Sequence, residues 1–418
     1  MTGTLKPILG YLMLAAGAGV IVSNLDPLGK MIEHGFHITG VVPNNEAIVA
    51  VAQKVLGVKT MSILVVGLLM NLLIARFTKF KYVFLTGHHS LFMACLMSAV
   101  LGTAGLSGIE LILVGGFLMG AWSAISPAIG QSYTSKVTDG DEIALGHFGS
   151  LGYYLSAWVA KYVGKAEEST EDIEIPEKWG FLRDSTLSTA LTMIVFYLIA
   201  AIAAGSEFVA TLSGSMSPYL FAVMSAMNFA VGVAIVYSGV RMILGDLIPA
   251  FQGIATKIIP NAIPAVDCAV FFTYAPTAVV LGFISSFIGG IIGMLILGAV
   301  GGVLIIPGLV PHFFCGATAG IYGNATGGRR GAAVGAFLNG LAITFLPALA
   351  LPVLGQLGFQ NTTFGDADFA VMGLVLGNAF EWIGMAGIYG VVVIAALVLI
   401  IPNFIKTKGK VINYVEEE

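Results

Sequence analysis

The sequence predicts an all-α polytopic membrane protein, and three observations carry that expectation. Hydrophobic residues make up 57% of the 418 residues and charged ones only 10%, where a soluble domain carries roughly 25% charged residues. The mean hydropathy is +0.94. Apolar runs of near-spanning length recur along the whole chain, and a bilayer core needs about 20 such residues per helix. The 54 glycines fit close helix approach and helix breaks inside a membrane. A formal net charge of −4 argues against a nucleic-acid partner. Cys95, Cys268 and Cys315 stand in apolar or glycine-rich surroundings without CxxC or zinc spacing. Free buried thiols are therefore expected, with no metal and no cofactor. The first run lacks a small-residue cleavage site, so no cleavable signal peptide is expected.

Taken in order, the runs are Pro7–Val22, Met61–Ala75, Leu91–Thr103, Ile109–Ser126, Leu187–Ala204, Tyr219–Tyr237, Ala278–Gly293, Met294–Leu309, Ala333–Leu351 and Gly387–Ile401. Several are short and interrupted by Gly or Pro, which points to re-entrant hairpins and broken helices. The expectation is about 10–11 transmembrane helices including such pieces. Arg76, Lys79 and Lys81 flank one run, Lys161, Lys165, Lys178 and Arg183 crowd the one long polar loop, and Lys406, Lys408 and Lys410 follow the last run. The positive-inside rule puts these groups in the cytoplasm, with both termini inside and an even number of spans.

The chain divides into a repeat-like first half, 1–160, a cytoplasmic connector, 161–186, and a repeat-like second half, 187–418. Gly87-His88-His89 and Val266-Asp267-Cys268 each open an apolar run. Asp139-Gly140-Asp141-Glu142 with Gly146-His147 is matched by Gly327-Gly328-Arg329-Arg330 with Val334-Gly335. Inverted repeats of this kind hold a site at their interface.

The chemistry-bearing residues are few. His88 and His89 lie between basic residues and an apolar run, and intramembrane imidazoles are costly unless they face partners, water or a ligand. A neutral imidazole offers one donor and one acceptor, which suits a hydroxyl-rich solute. His147 sits between Gly146 and Gly149, where a structural turn is the other reading. Asp267 stands among apolar neighbours after Pro260 and Pro264, which suggest broken backbone. It is either a solute-binding carboxylate or a cap for freed N–H groups. Asn45 and Glu46 follow a Pro-Asn turn signal and read as a turn or a ligand loop. No HxxxH, P-loop or dinucleotide fingerprint is present, which sets aside an ATP-driven pump.

The segments Thr86-Gly87-His88, Val137-Thr138-Asp139-Gly140, Gly146-His147, Gly164 to Asp172, Val266-Asp267-Cys268-Ala269 and Ala275 to Val280 resemble the ascorbate-type membrane subunit (IIC) of the bacterial phosphotransferase system. The resemblance extends over nearly the whole chain. It implies a homodimer in the bacterial inner membrane, with a solute-binding core domain that moves as an elevator against a dimerisation domain. It also implies that the solute, L-ascorbate in the type member, is phosphorylated by a separate cytoplasmic IIB protein charged by IIA, so that the chain is a transporter subunit and not an enzyme. The binding positions that match in type are His88, His147 and Asp267, with His89 beside them. Others differ: Asn45 and Glu46 stand in the loop before the second run, Phe92 replaces a polar residue, and Phe148 follows the second binding histidine. The matching positions point to L-ascorbate or a close polyhydroxy analogue, and the departures leave room for a related acidic or polyhydroxy solute. The family has one more N-terminal span than is evident here, so the chain is expected to start one helix late. The alternatives are a proton-coupled secondary transporter using Asp267 or the histidines, an intramembrane enzyme, and a channel.

Overall fold

The computed structural model describes residues 2–37, 40–43, 45–173, 185–355 and 362–404. Its long helices are α1 (Thr2–Gly35), α2 (Asn45–Phe77), α4 (Gly108–Thr138), α8 (Pro218–Lys257), α9 (Pro276–Ala299), α10 (Leu309–Gly355) and α12 (Met385–Ile400). Shorter ones are α3 (Gly87–Thr103), α5 (Ser150–Val163), α6 (Ser185–Ala204), α7 (Ser206–Ser213) and α11 (Ala367–Ile383). Among the described residues, 7 helices are long and apolar enough to cross a membrane, or 8 if α6 and α7, bent by 117° at Gly205, form one span. The sequence runs exceed that number for identifiable reasons. Leu91–Thr103 falls in α3, which is buried along nearly all of its length and so is a core helix, not a lipid-facing one. Ala278–Gly293 and the start of Met294–Leu309 are one helix, α9. The first run does not stop at Val22: α1 continues through Asp26, Lys30 and Glu33, where Lys30 Nζ pairs with Asp26 at 2.8 Å.

α10 is two arms joined at Gly327 and Gly328, and Gly328 sits at φ +60°. A Cβ at Gly328 would lie 2.2 Å from Lys165 O, so both the dihedral and the space require glycine. The connector docks on this break. Arg329 N donates to Glu168 O at 2.8 Å, and the Glu171 carboxylate accepts from Thr277 N and Ala278 N at the start of α9. A carboxylate there satisfies orphan N–H groups and opposes the helix dipole. The stretch 165–173 is thus anchored; residues 174–184 lie outside the described residues.

Five short strands interrupt the helices: β1 (Val42–Pro43), β2 (Tyr82–Phe84), β3 (Ala144–Leu145), β4 (Ile263–Val266) and β5 (Thr362–Thr363). They form two parallel sheets. One has the order β2–β4–β3, with Val83 opposite Pro264 and Ala144 opposite Ala265. In the other, β1 pairs with β5 and Val41 bridges Ile305. Pro264 loses nothing by lacking an N–H, because pairing with β3 begins only at Ala265. Each sheet takes its middle strand from the opposite half of the chain. Val42, Tyr82 and Ala144 recur as Ile263, Ile305 and Thr362 at nearly constant spacing. The pairing of β3 with β4 carries His147 to the side of Asp267, and the pairing of β1 with β5 carries Asn45 to Asp366, each across the two halves.

Backbone outside helices is tolerated at membrane depth only where it is enclosed and paired. All three strands of the first sheet are buried. The outer edge of β2 is covered by a side chain: Asn71 Nδ2 donates to Tyr82 O at 3.1 Å, and Phe84 N donates to Asn71 Oδ1 at 3.0 Å. Asn71→Leu leaves that donor and acceptor buried and unpaired, at about 1–3 kcal/mol each. A lower thermal unfolding midpoint in detergent, with no comparable loss for Asn378→Leu on α11, is the expected result.

Candidate functional site

Every strand of both sheets ends at a polar or backbone-exposing residue. β2 runs through Thr86 into the first turn of α3, which carries His88 and His89. β3 runs through Gly146 to His147, and β4 runs into Asp267, which opens a 3₁₀ helix, Cys268–Thr273. In the second sheet, β1 leads to Asn45 at the start of α2, Ile305 to Pro307 and Gly308, and β5 to Asp366 ahead of α11. Open parallel sheets present binding residues at the carboxyl ends of their strands. Here the two sets of ends face one cavity of about 640 Å³, within the range of roughly 300–1,000 Å³ common for small-molecule sites. α1 forms another part of its wall through Asp26, Lys30 and Glu33.

The sequence candidates separate clearly in space. His88, His89, Phe92, His147, Asp267 and Asn45 all line the cavity. Phe148 does not. Its fully buried ring stacks on Phe84 at 4.5 Å and meets Phe369 edge-on at 5.7 Å. Phe148 acts through its backbone instead, its N–H donating to His89 Nδ1 at 3.2 Å. Glu46 follows Asn45 on α2, and its side chain lies outside the described residues.

Asp267 does both things expected of it. Oδ1 caps the 3₁₀ helix by accepting from Ala269 N at 3.0 Å. Oδ2 lies 3.4 Å from His88 Nε2 without the alignment of a hydrogen bond, and so has no hydrogen-bond partner among the described residues. The backbone between α8 and α9 is indeed non-helical here, and Asp267 stands where the buried strand β4 gives way to the 3₁₀ helix. His88 is half exposed, whereas His89 and His147 are buried, with ring centroids 3.7 Å apart.

The hydrogen bonds fix what these two imidazoles offer. His147 Nδ1 accepts from Gly149 N at 3.2 Å and lies 2.8 Å from Tyr153 Oη. His89 Nδ1 accepts from Phe148 N. A ring nitrogen that accepts a backbone N–H carries no proton, so in each neutral ring the proton is on Nε2. The site therefore holds two N–H donors whose tautomers are set by the backbone.

Sequence reasoning missed Asp366 and Asp368. Asp366 lines the cavity; it accepts from Asn45 Nδ2 at 2.5 Å and from Cys315 Sγ at 2.9 Å, and His147 Nδ1 is 3.8 Å away. The signal was present, since two acids one residue apart in an apolar setting demand partners. His89, His147 and Asp366, and separately His147, Asp267 and Cys268, bring ligand-type atoms within 4.8 Å of one another. In the first set, His147 Nδ1 and both Asp366 oxygens are already engaged in hydrogen bonds within the protein.

Asp368 sits behind the cavity and secures the His147 loop. Its carboxylate accepts from Ser150 Oγ at 2.7 Å, Leu151 N at 3.0 Å and Trp122 Nε1 at 3.1 Å, while its own N–H donates to Phe148 O. Asp368→Ala strands the buried Ser150 hydroxyl, at about 1–3 kcal/mol, and the part-buried donors of Leu151 and Trp122. A large fall in the thermal midpoint and an altered Trp122 emission are expected; an unchanged midpoint would refute this anchoring role.

Comparison with known proteins accords with this geometry. Residues 1–368 match the family described as "PTS system sugar-specific permease component" (EIIC-GAT), a segment that takes in all five strands and the Val41–Ile305 bridge. The chain is 25% identical over 386 residues to a protein of Mycoplasma pneumoniae described as "Ascorbate-specific PTS system EIIC component". That match takes in 78% of this chain and 57% of the relative, so the chain spans little more than half of the relative's length. With most of its length matched and its apolar helices in place, the chain belongs to the sugar-specific permease components of the phosphotransferase system, integral transporter subunits of the bacterial inner membrane.

Proposed function

We propose that the chain translocates L-ascorbate or a close polyhydroxy analogue, with phosphorylation of the solute by a separate IIB protein that IIA recharges. The observation that carries this reading is the shared cavity, where His88, His89, His147, Asn45, Asp267 and Asp366 meet at the carboxyl ends of two parallel sheets. Donors and acceptors alternate on its wall, as a molecule rich in hydroxyls requires. The ascorbate specificity of the Mycoplasma relative supports the solute class.

Movement follows an elevator scheme in this proposal. α1 packs chiefly against α8 and α6, while α9, α10 and α5 form a separate packed group preceded by the segments that carry His147, Asp267 and Pro307. The cavity lies where α1 meets that group, so a rigid displacement of one against the other carries the site across the membrane. The chain works as a homodimer with both termini in the cytoplasm. Phosphorylation adds about 1.5–2 negative charges to the solute, and the carboxylates of the cavity oppose its return.

Two measurements test the reading. In folded protein, His88→Ala and Asp267→Ala should each weaken solute binding about tenfold or more, the loss of one hydrogen bond to a polar or charged group; unchanged affinity in both removes the site assignment. In vesicles, uptake should need the IIB protein and a phosphoryl donor. Uptake driven by a proton gradient alone would favour the proton-coupled secondary transporter instead.

A further inference from the structure

His147 Nδ1 and Asp366 Oδ1 stand 3.8 Å apart, and both residues are buried. An imidazole N–H donated to a carboxylate is charge-assisted, and such bonds are roughly twice as strong as neutral ones. Here that bond is not made. His147 Nδ1 accepts from Gly149 N at 3.2 Å, so it carries no proton to give. The Tyr153 hydroxyl, 2.8 Å away, is therefore the donor to the same nitrogen. Asp366 Oδ1 in turn accepts from Cys315 Sγ at 2.9 Å. One donor on each member keeps the two from pairing.

Those two donors meet beside Gly149. A Cβ there would lie 2.3 Å from Tyr153 Oη and 3.2 Å from Cys315 Sγ. Tyr153 comes from α5 and Cys315 from the first arm of α10, and both are fully buried. Neither is part of the cavity wall, whereas His147 and Asp366 both are. What the pair of donors controls is the state of the ring. With Nδ1 as acceptor, the neutral ring has its proton on Nε2. A proton on Nδ1, shared with Asp366, turns Nε2 into a lone pair or the ring into a cation. Without the Tyr153 hydroxyl, one 3.2 Å bond between neutral groups opposes a bond to a carboxylate, and the carboxylate prevails.

We infer that Tyr153 and Cys315 are positioning residues that suppress a latent His147–Asp366 pair and so hold His147 as a neutral ring with its proton on Nε2. The inference rests on the placement of the solute site in this cavity, and it is independent of which solute binds there.

Nitrogen NMR of the full chain, carrying isotope-labelled histidine in lipid nanodiscs, tests it. The chain has only six histidines, so the His147 resonances are identified by their loss in His147→Gln. In the unmodified chain Nδ1 should be unprotonated. In Tyr153→Phe it should carry a proton, and L-ascorbate affinity should fall severalfold. Gly149→Ala, whose methyl displaces the hydroxyl without removing it, should act in the same direction. Cys315→Ala should move the ring partway, and Cys315→Ser, which restores a donor to Asp366, should reverse that change. A protonated Nδ1 in the unmodified chain overturns the inference. So does an Nδ1 that stays unprotonated in the folded variants, even where affinity falls, because packing alone then explains the loss. Where one variant fails to fold, the unmodified chain and the remaining variants decide. Absence of L-ascorbate binding to the unmodified chain removes the solute reading and leaves the ring measurement to decide this inference.

Discussion

Backbone N–H and C=O groups that leave a helix inside an apolar bundle must find partners, and here they find them across the two halves of the chain. The strands are two to four residues long, far too short to stand alone. β4 is held between β2 and β3, and Gly146 N donates to Val266 O at 2.7 Å while Leu85 N donates to Ala265 O at 2.9 Å. Those contacts fix where each strand stops. Because these strands stop just before His88, His147 and Asp267, the same hydrogen bonds that satisfy buried backbone also set the distances among those side chains. Parallel pairing matters as much as pairing itself, since it puts every carboxyl end on one side.

The placement of polar groups around the cavity grows out of that arrangement. Backbone N–H groups from the Phe148–Gly149 turn reach the two buried imidazoles and choose their tautomers, and Asp368 holds the turn in place from behind. The carboxylate of Asp366 is braced by Asn45 and Cys315, whereas one oxygen of Asp267 stays unused. A wall built this way has rigid donors on one side and a waiting acceptor on the other. Rigid placement of polar groups lowers the ordering cost of binding. α1 adds Asp26, Lys30 and Glu33 to the wall, with Lys30 paired to Asp26.

Much of the organisation was legible in the residues. Composition and run length determined the membrane class, because a bilayer imposes a length and a polarity that few other environments do. The intramembrane cost of His and Asp singled out His88, His89, His147 and Asp267, and the departures at Asn45 and Phe92 fell on positions that do line the cavity. Phe148 was drawn in by its neighbour's importance; only coordinates show its ring turned into the core and its backbone doing the contact. Asp366 and Asp368 carry no motif of their own in the sequence, and the charged end of α1 lies beyond Ser23 and Asn24, where the apolar run stops at Val22.

What the sequence determined alone is the class of the protein and the short roll of side chains too costly to leave idle in lipid. Tertiary structure decided which of them meet. Strands of two to four residues have no periodicity to read, and their partners lie in the other half of the chain. Pairing at that separation depends on how the helices on either side pack, so the registers that bring His147 to Asp267 and Asn45 to Asp366, and the cavity they border, exist only once the two halves have closed on each other.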